Sequence, residues 1–348
     1  MTFPAKDIPE TQNGVRGRLA PSPTGLLHLG NAWAFWVAWL DARSREGECV
    51  LRLEDIDPAR SRMEYAEALT RDLAWLGIEW DYGPGAKNGK DNVTVFFQSK
   101  RDNLYQDALR FLAAKGLVYP CYCTRKELRD IAGAPHVDNV GAPYPGSCRT
   151  LSDAAKERHE AAGRRHSLRL LCSEGTRWRF TDILQGNQDM TLEQCGGDFA
   201  LRRSDGVFAY QLAVVVDDIA MGITRVVRGK DILVSTPRQL YLYDLFGAQE
   251  PDYAHLPLVV DNFGERLAKR HASLTLAALR QAGVRAETLL GWFAAAAGMR
   301  ERFAPLHAHE GIKSFNFSTI RAEHLRLPSD PVAFFLTAQQ TGRYCGLS

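Results

Sequence analysis

The chain reads as an α/β protein built on a doubly wound parallel sheet and interrupted by an inserted subdomain. Three observations predict this. A strand, a turn and a helix follow one another at residues 17–40. Apolar runs then alternate with helix-period segments to residue 118 and again over 196–285. Between them, over 119–195, the alternation gives way to turns and short strand-like runs. Regular alternation of strands and helices places helices on both faces of a parallel sheet, with ligands beyond the C-terminal ends of its strands.

Residues 1–16 form a polar arm. The apolar strand 17–20 precedes Pro21, Pro23 and Gly25, which stop regular pairing, and Leu29, Ala32, Trp33, Trp36, Val37 and Leu40 then recur at helical spacing. Residues 48–54 read as a buried strand. Met63, Ala66, Leu69, Leu73 and Leu76 mark a helix that ends at Gly77, and another helix is expected over 100–115. From Tyr119 come a cysteine-containing turn, a Gly/Pro-rich stretch at 133–146, and strand-like runs at 166–172 and 176–183. The sheet is expected to resume with a hairpin-like segment, 199–210, turning at Ser204-Asp205-Gly206; a helix after Pro237 and a strand at 255–260 follow. Residues 286–348 should be short and partly irregular, with 286–299 the clearest helix.

With 348 residues, 45% hydrophobic and 24% charged, the chain can bury one large or two moderate cores and is no disordered tail. The apolar run 32–40 falls far short of the roughly 20 residues that span a bilayer, and 1–14 has no apolar stretch of an export signal. Seven cysteines, an odd number, argue for reduced thiols and a cytoplasmic location rather than a disulfide framework. A net charge of +2 does not announce a nucleic-acid partner.

Two segments carry nucleotide chemistry together. In the first, PSPTGLLHLGN at 21–31, His28 and Gly30 sit at a helix N-terminus, where free N–H groups and the helix dipole attract phosphate oxygens. The second, RLAKR at 266–270, follows the apolar run HLPLVV in a Gly-containing loop. The first matches the HIGH region, and the second the KMSKS loop, of class I aminoacyl-tRNA synthetases; the chain is identified as a member of that family. Two positions depart from the family pattern: Asn31 stands for the second histidine of HIGH, and Ala268 for the serine of KMSKS.

Five further blocks resemble the glutamate-site segments of glutamyl-tRNA synthetases, in the same order. They are Arg18 to Ser22, Leu53 to Asp57, Phe208 to Asp218, Gly222 to Thr224 and Arg228-Gly229. The resemblance implies a class I Rossmann-type catalytic domain in which His28, Gly30, Asn31 and Lys269 bind ATP with Mg²⁺. It assigns L-glutamate to Arg18, Leu19, Ala20, Pro21, Ser22, Glu54, Tyr210 and Arg228. Catalysis falls to His28 and Lys269.

Cys121, Cys123 and Cys148, with Tyr144 four residues before the last, offer three soft ligands and a phenol. This pattern resembles the zinc knuckle of the glutamyl-queuosine tRNA(Asp) synthetases, a branch of the family, and implies one structural Zn²⁺. Thr150 stands where zinc-bearing full-length glutamyl enzymes carry a histidine, which leaves Tyr144 as the fourth candidate. The resemblance therefore implies tRNA-independent formation of glutamyl-adenylate and transfer of glutamate to queuosine in the anticodon of tRNA(Asp). It also implies that no separate anticodon-binding domain is present. The alternatives are a truncated glutamyl-tRNA synthetase acting on an acceptor end, and an inactive paralogue that only binds tRNA.

Overall fold

The computed structural model describes residues 4, 6–11, 14–86, 93–124, 126–128, 144–267 and 274–341. Strand β1 (Arg16–Leu19) leads through the Pro/Gly turn into helix α1 (Leu29–Ser44), and β2 (Glu48–Leu51) returns parallel to β1 with Gly17 opposite Cys49. Helices α2 (Met63–Trp75) and α3 (Asp102–Ala114) follow. The predicted strand–turn–helix and all three N-terminal helices are present; α2 and α3 end within about two residues of expectation, and α1 runs on to Ser44, past its expected end at residue 40.

Strand β3 (Val118–Cys121) opens the inserted region, where a turn was expected. Helix α4 (Asp153–Ala161), capped by the Ser152 side chain, precedes β4 (Ser167–Leu170), and β5 (Arg177–Asp182) and β6 (Gly186–Thr191) form an antiparallel hairpin. Strand β7 (Ala200–Arg202) pairs with β4, giving the antiparallel order β3-β4-β7. The hairpin returns to the parallel layer: Ile183 N donates to Tyr253 O at 2.9 Å.

Helix α5 (Tyr210–Ala220) is buried along nearly its whole length and leads to β8 (Arg225–Gly229). Residues 210–220 carry the run AVVV, whose β-branched side chains mimic a strand and hide the helix from local pattern. Helix α6 (Thr236–Phe246) and β9 (Asp252–Leu256) complete the unit, β9 lying parallel to β8. The two parallel pairs meet where β8 lies beside β1, tied by a hydrogen bond from Thr224 N to Arg16 O at 3.0 Å. The expected single strand at 255–260 is instead broken at Pro257 into β9 and β10 (Val259–Val260).

Helices α7 (Leu276–Gln281) and α8 (Ala286–Ala296), β11 (Leu325–Arg326) and α9 (Pro331–Thr341) end the described chain. The last region is more ordered than its prolines suggest. Strand β11 pairs with β10, and Phe317, Ile320, Leu325 and Phe335 join the core around Trp33, Trp36 and Phe293. Gly311 makes this docking possible, since a Cβ there would meet Leu40 Cδ2 at 3.1 Å and Trp36 Cζ2 at 3.3 Å. Buried aromatic side chains remove about 150–250 Å² each from water, so this C-terminal region is part of what holds α1, and with it His28, in place.

Candidate active site

Helix α1 begins as the motif predicts. His28 is its N-cap in extended conformation; its Nδ1 accepts from Gly30 N at 3.1 Å, and Asn31 Oδ1 accepts from His28 N at 3.2 Å. This reciprocal capping satisfies two donors that a helix end otherwise leaves open. With Nδ1 accepting, the imidazole proton resides on Nε2, which gives the ring a donor edge. Burial and the nearby Arg266 charge push the His28 pKa down, so the ring is neutral at pH 7. Gly30 is required by this fold-back: a Cβ would lie 3.1 Å from His28 Cε1.

The second motif flanks the first. Arg266 forms a bridge with Val260 and pairs with Asp231 at 2.5 Å, and its charge acts on His28. Thr275 forms a bridge with His28 itself, and Leu276 N donates to Leu27 O at 2.8 Å. Both flanks of the RLAKR segment therefore meet the start of α1. Ala268 and Lys269 lie outside the described residues.

The residues expected to bind the amino acid converge at the ends of β1, β2 and β8 and the start of α5. Arg18 is buried, its Nε 3.7 Å from Asp218 Oδ2 and its Nη1 3.4 Å from Val227 O. Glu54 accepts from Arg52 Nη2 at 3.2 Å; burial pushes its carboxyl up, against the pull of Arg52 and Arg18. Tyr210 heads α5 within electrostatic reach of Arg228, Glu54, Arg18 and Asp218; its side chain keeps 37% of its surface exposed, and partial desolvation at the pocket mouth pushes its phenol up, so it stays a donor. Ser22 is exposed. The side chain of Leu19 faces the core, while Leu19 O and Pro21 O accept from Arg52 N and Glu54 N at 2.9 Å, so these residues brace the pocket through their backbone. Ala20 sits half-buried between them.

Sequence reasoning missed the scaffold under this pocket. Arg52, fully buried, donates to Asp218 at 2.6 Å and lies 3.7 Å from Asp217, which also receives Arg101 at 2.6 Å, Gln98 at 2.8 Å and Tyr105 at 2.9 Å. A pair of acids in an otherwise apolar helix was the available signal. Arg228 was found, but its partners were not. It donates from Nε to His255 Nε2 at 2.9 Å, from Nη1 to Gln239 Oε1 at 2.8 Å and from Nη2 to Thr236 Oγ1 at 2.8 Å.

The thiols of Cys121, Cys123 and Cys148 all lie within 4.8 Å of one another, with Cys123 Sγ and Cys148 Sγ 3.6 Å apart. Three sulfurs around a tetrahedral ion with bonds of about 2.3 Å would stand about 3.8 Å apart, so the cluster could hold a metal ion. The Tyr144 hydroxyl accepts from Cys148 N at 2.8 Å and hydrogen-bonds the Cys121 thiol, while Arg169 stacks 3.9 Å over its ring. Among the described residues no histidine joins the cluster.

Comparison with known proteins gives the family of the chain. Residues 14–323 match the family model described as tRNA synthetases class I (E and Q), catalytic domain. The chain is 55% identical to the Glutamyl-Q tRNA(Asp) synthetase of Nitratidesulfovibrio vulgaris, covering 91% of this chain and 96% of that protein. It is 46% identical to the protein of that name from Symbiobacterium thermophilum, covering 91% and 97%. Glutamate--tRNA ligase 2 of Syntrophus aciditrophicus is 41% identical over 80% of this chain but 56% of its own length. A glutamate tRNA ligase crystallised from Elizabethkingia meningosepticum in complex with its amino acid shares the fold, with a TM-score of 0.76 over 94% of this chain and 70% of that one, at 24% identity. On its motifs, its site and these matches, the chain belongs to the class I tRNA synthetases, in the group of E and Q catalytic domains.

Proposed function

We propose that this enzyme activates L-glutamate with ATP, without needing tRNA, and transfers the glutamyl group to queuosine in the anticodon of tRNA(Asp). The single observation that carries the acceptor is the 55% identity to a Glutamyl-Q tRNA(Asp) synthetase along nearly the full length of both chains. The pocket supports the amino acid. Free glutamate brings two carboxylates and one ammonium, and Arg18, Arg228 and Glu54 offer two cations and one anion around Tyr210.

In activation, an oxygen of the glutamate α-carboxylate attacks the α-phosphorus of ATP, a new C–O–P linkage forms, the Pα–O–Pβ bond breaks, and pyrophosphate leaves. No protein nucleophile is required, so catalysis is positioning plus stabilisation of charge. We assign a phosphate contact to His28 Nε2–H at the start of α1; Gly30, whose own N–H is taken by His28 Nδ1, leaves room for the phosphate to approach closely, and Asn31 holds His28 in place. Lys269 is assigned the charge that grows on the pyrophosphate. Mg²⁺ bound with ATP would supply further charge neutralisation on the phosphate oxygens. In transfer, a hydroxyl of the queuosine ring attacks the adenylate carbonyl and AMP leaves.

For the thiol cluster we propose one structural Zn²⁺ held by Cys121, Cys123, Cys148 and Tyr144. Four protein ligands would leave the ion no open position, so its contribution would be to folding of the inserted region. Reduced thiols there suit a cytoplasmic enzyme.

ATP–pyrophosphate exchange tests the reading. We expect exchange that depends on glutamate and Mg²⁺ and proceeds without tRNA. An absolute requirement for tRNA would favour a truncated glutamyl-tRNA synthetase, and no exchange under any condition would favour an inactive paralogue.

A further inference from the structure

The β5–β6 hairpin of the inserted region reaches the amino-acid pocket through one residue. Asp182, at the end of β5, is fully buried. Its Oδ1 accepts three backbone N–H bonds, from Leu184 at 3.0 Å, Gln185 at 2.9 Å and His255 at 3.2 Å. Its Oδ2 lies 2.5 Å from His255 Nδ1. Gln185 Nε2 adds a bond to His255 O at 2.8 Å, so the hairpin tip grips this residue of β9 by side chain and backbone alike.

The far edge of the same imidazole faces Arg228. A guanidinium has five N–H donors and no acceptor. Its Nε–H, 2.9 Å from His255 Nε2, can only donate, so that ring nitrogen must be unprotonated. A neutral ring with a bare Nε2 carries its proton on Nδ1, where the Asp182 carboxylate receives it. The three contacts of Arg228 to His255, Gln239 and Thr236 use three of its donors. Two remain for a carboxylate. The direction of every hydrogen bond along this line is thus set from the hairpin outward.

We propose that Asp182 and His255 are positioning residues for Arg228, fixing the imidazole tautomer so that the guanidinium is held with two donors turned to the carboxylate of the amino-acid substrate. The inference rests on the reading of Arg228 as a glutamate ligand. It makes the inserted hairpin a determinant of amino-acid binding, in addition to any contact of that region with tRNA.

Asp182→Asn isolates the effect. The amide keeps its oxygen where three backbone donors point at Oδ1, because reversing it would cost three bonds to save one. Its NH₂ then faces His255 Nδ1 and forces that nitrogen to accept. The imidazole proton moves to Nε2, opposite the Arg228 Nε–H, and two donors meet. Loss of a well-oriented bond from a charged donor corresponds to about a ten- to hundred-fold change in an equilibrium constant.

We expect Asp182→Asn to raise KM for glutamate by that factor in pyrophosphate exchange, with KM for ATP unchanged. Nitrogen-15 NMR of the histidine rings, with the His255 signals assigned by their loss in His255→Gln, should report Nδ1–H in the wild type and Nε2–H in Asp182→Asn. An unchanged glutamate KM in a folded Asp182→Asn protein, with the wild type active, would overturn the proposal while leaving the activity assignment intact. Absence of glutamate-dependent exchange in the wild type would overturn both. Should the variant not fold, the wild-type spectrum decides: Nδ1–H supports the positioning chain, and Nε2–H or a doubly protonated ring contradicts it.

Discussion

Arg18, Arg52 and Arg228 are all buried, and each is held by acids or neutral acceptors before any substrate arrives. Desolvating such charges is expensive, and an ion pair in a core seldom repays the cost in stability. A preformed set of fixed donors does lower the reorganisation needed when a doubly charged ligand binds. Glu54 and Lys269 should then separate in kinetics. Glu54→Gln removes the partner of a ground-state ammonium and should raise KM for glutamate about ten- to hundred-fold, the loss of a charge-assisted bond of about 1.5–3 kcal/mol. Lys269→Ala should instead lower kcat and kcat/KM together, by about 10²- to 10³-fold, with little change in glutamate KM. Steady-state exchange kinetics check both, and a Glu54→Gln protein with unchanged KM would make Glu54 a structural partner of Arg52. Arg18, Glu54, Tyr210 and Arg228 were legible because each stands in a short recognisable block. The pairing of Arg52 with Asp218, 166 residues apart, and of Arg228 with His255 and Asp182, was not, because it forms only when strands distant in sequence come together.

The elements that the sequence revealed are those with a clean local period and a punctuated end. Helix α1 starts at its cap, α2 stops before Gly77, and the turn at Ser204-Asp205-Gly206 closes with Arg203 N donating to Val207 O at 2.8 Å. Helix α5 was passed over for the opposite reason. Packed against α3, α6 and the pocket, it is buried from Leu212 to Ala220, and its β-branched run Val214 to Val216 reads locally as a strand. Strand β11 is two residues long and exists only through β10. The thiol cluster lies between these extremes, with its ligands legible as residues and their convergence evident only in the fold. About one equivalent of zinc should accompany the purified protein, and Cys148→Ser should lose most of it. Elemental analysis of the two proteins checks this; equal metal content would remove Cys148 from the site, and a histidine in the coordination sphere would exclude Tyr144 as the fourth ligand.

At the scale of the molecule, the large core joins α1, the two parallel strand pairs and the C-terminal elements, so the nucleotide motifs and residues 286–341 are stabilised together. Among the described residues no helix is long and apolar enough to cross a membrane. Acid should loosen this assembly through His255. Burial, with the charges of Arg228 and Arg18, holds its pKa at about 4 against the pull of Asp182, below the ordinary 6.5. The unfolded chain therefore takes up a proton that the folded one refuses. This contribution is complete above pH 6.5, is lost as pH falls toward 4, and amounts to at most about 2 kcal/mol by pH 5. Thermal melts at pH 7 and pH 5 should show a smaller acid-induced fall in Tm for His255→Gln than for the wild type, and an equal fall would contradict the buried neutral ring. What sets this enzyme apart from a glutamyl-tRNA synthetase is its acceptor. The most direct measurement is transfer of radiolabelled glutamate to purified tRNA(Asp) with and without queuosine, beside tRNA(Glu). Label on queuosine-containing tRNA(Asp) alone is the predicted result; equal labelling of the unmodified tRNA(Asp), or labelling of tRNA(Glu) instead, would contradict it.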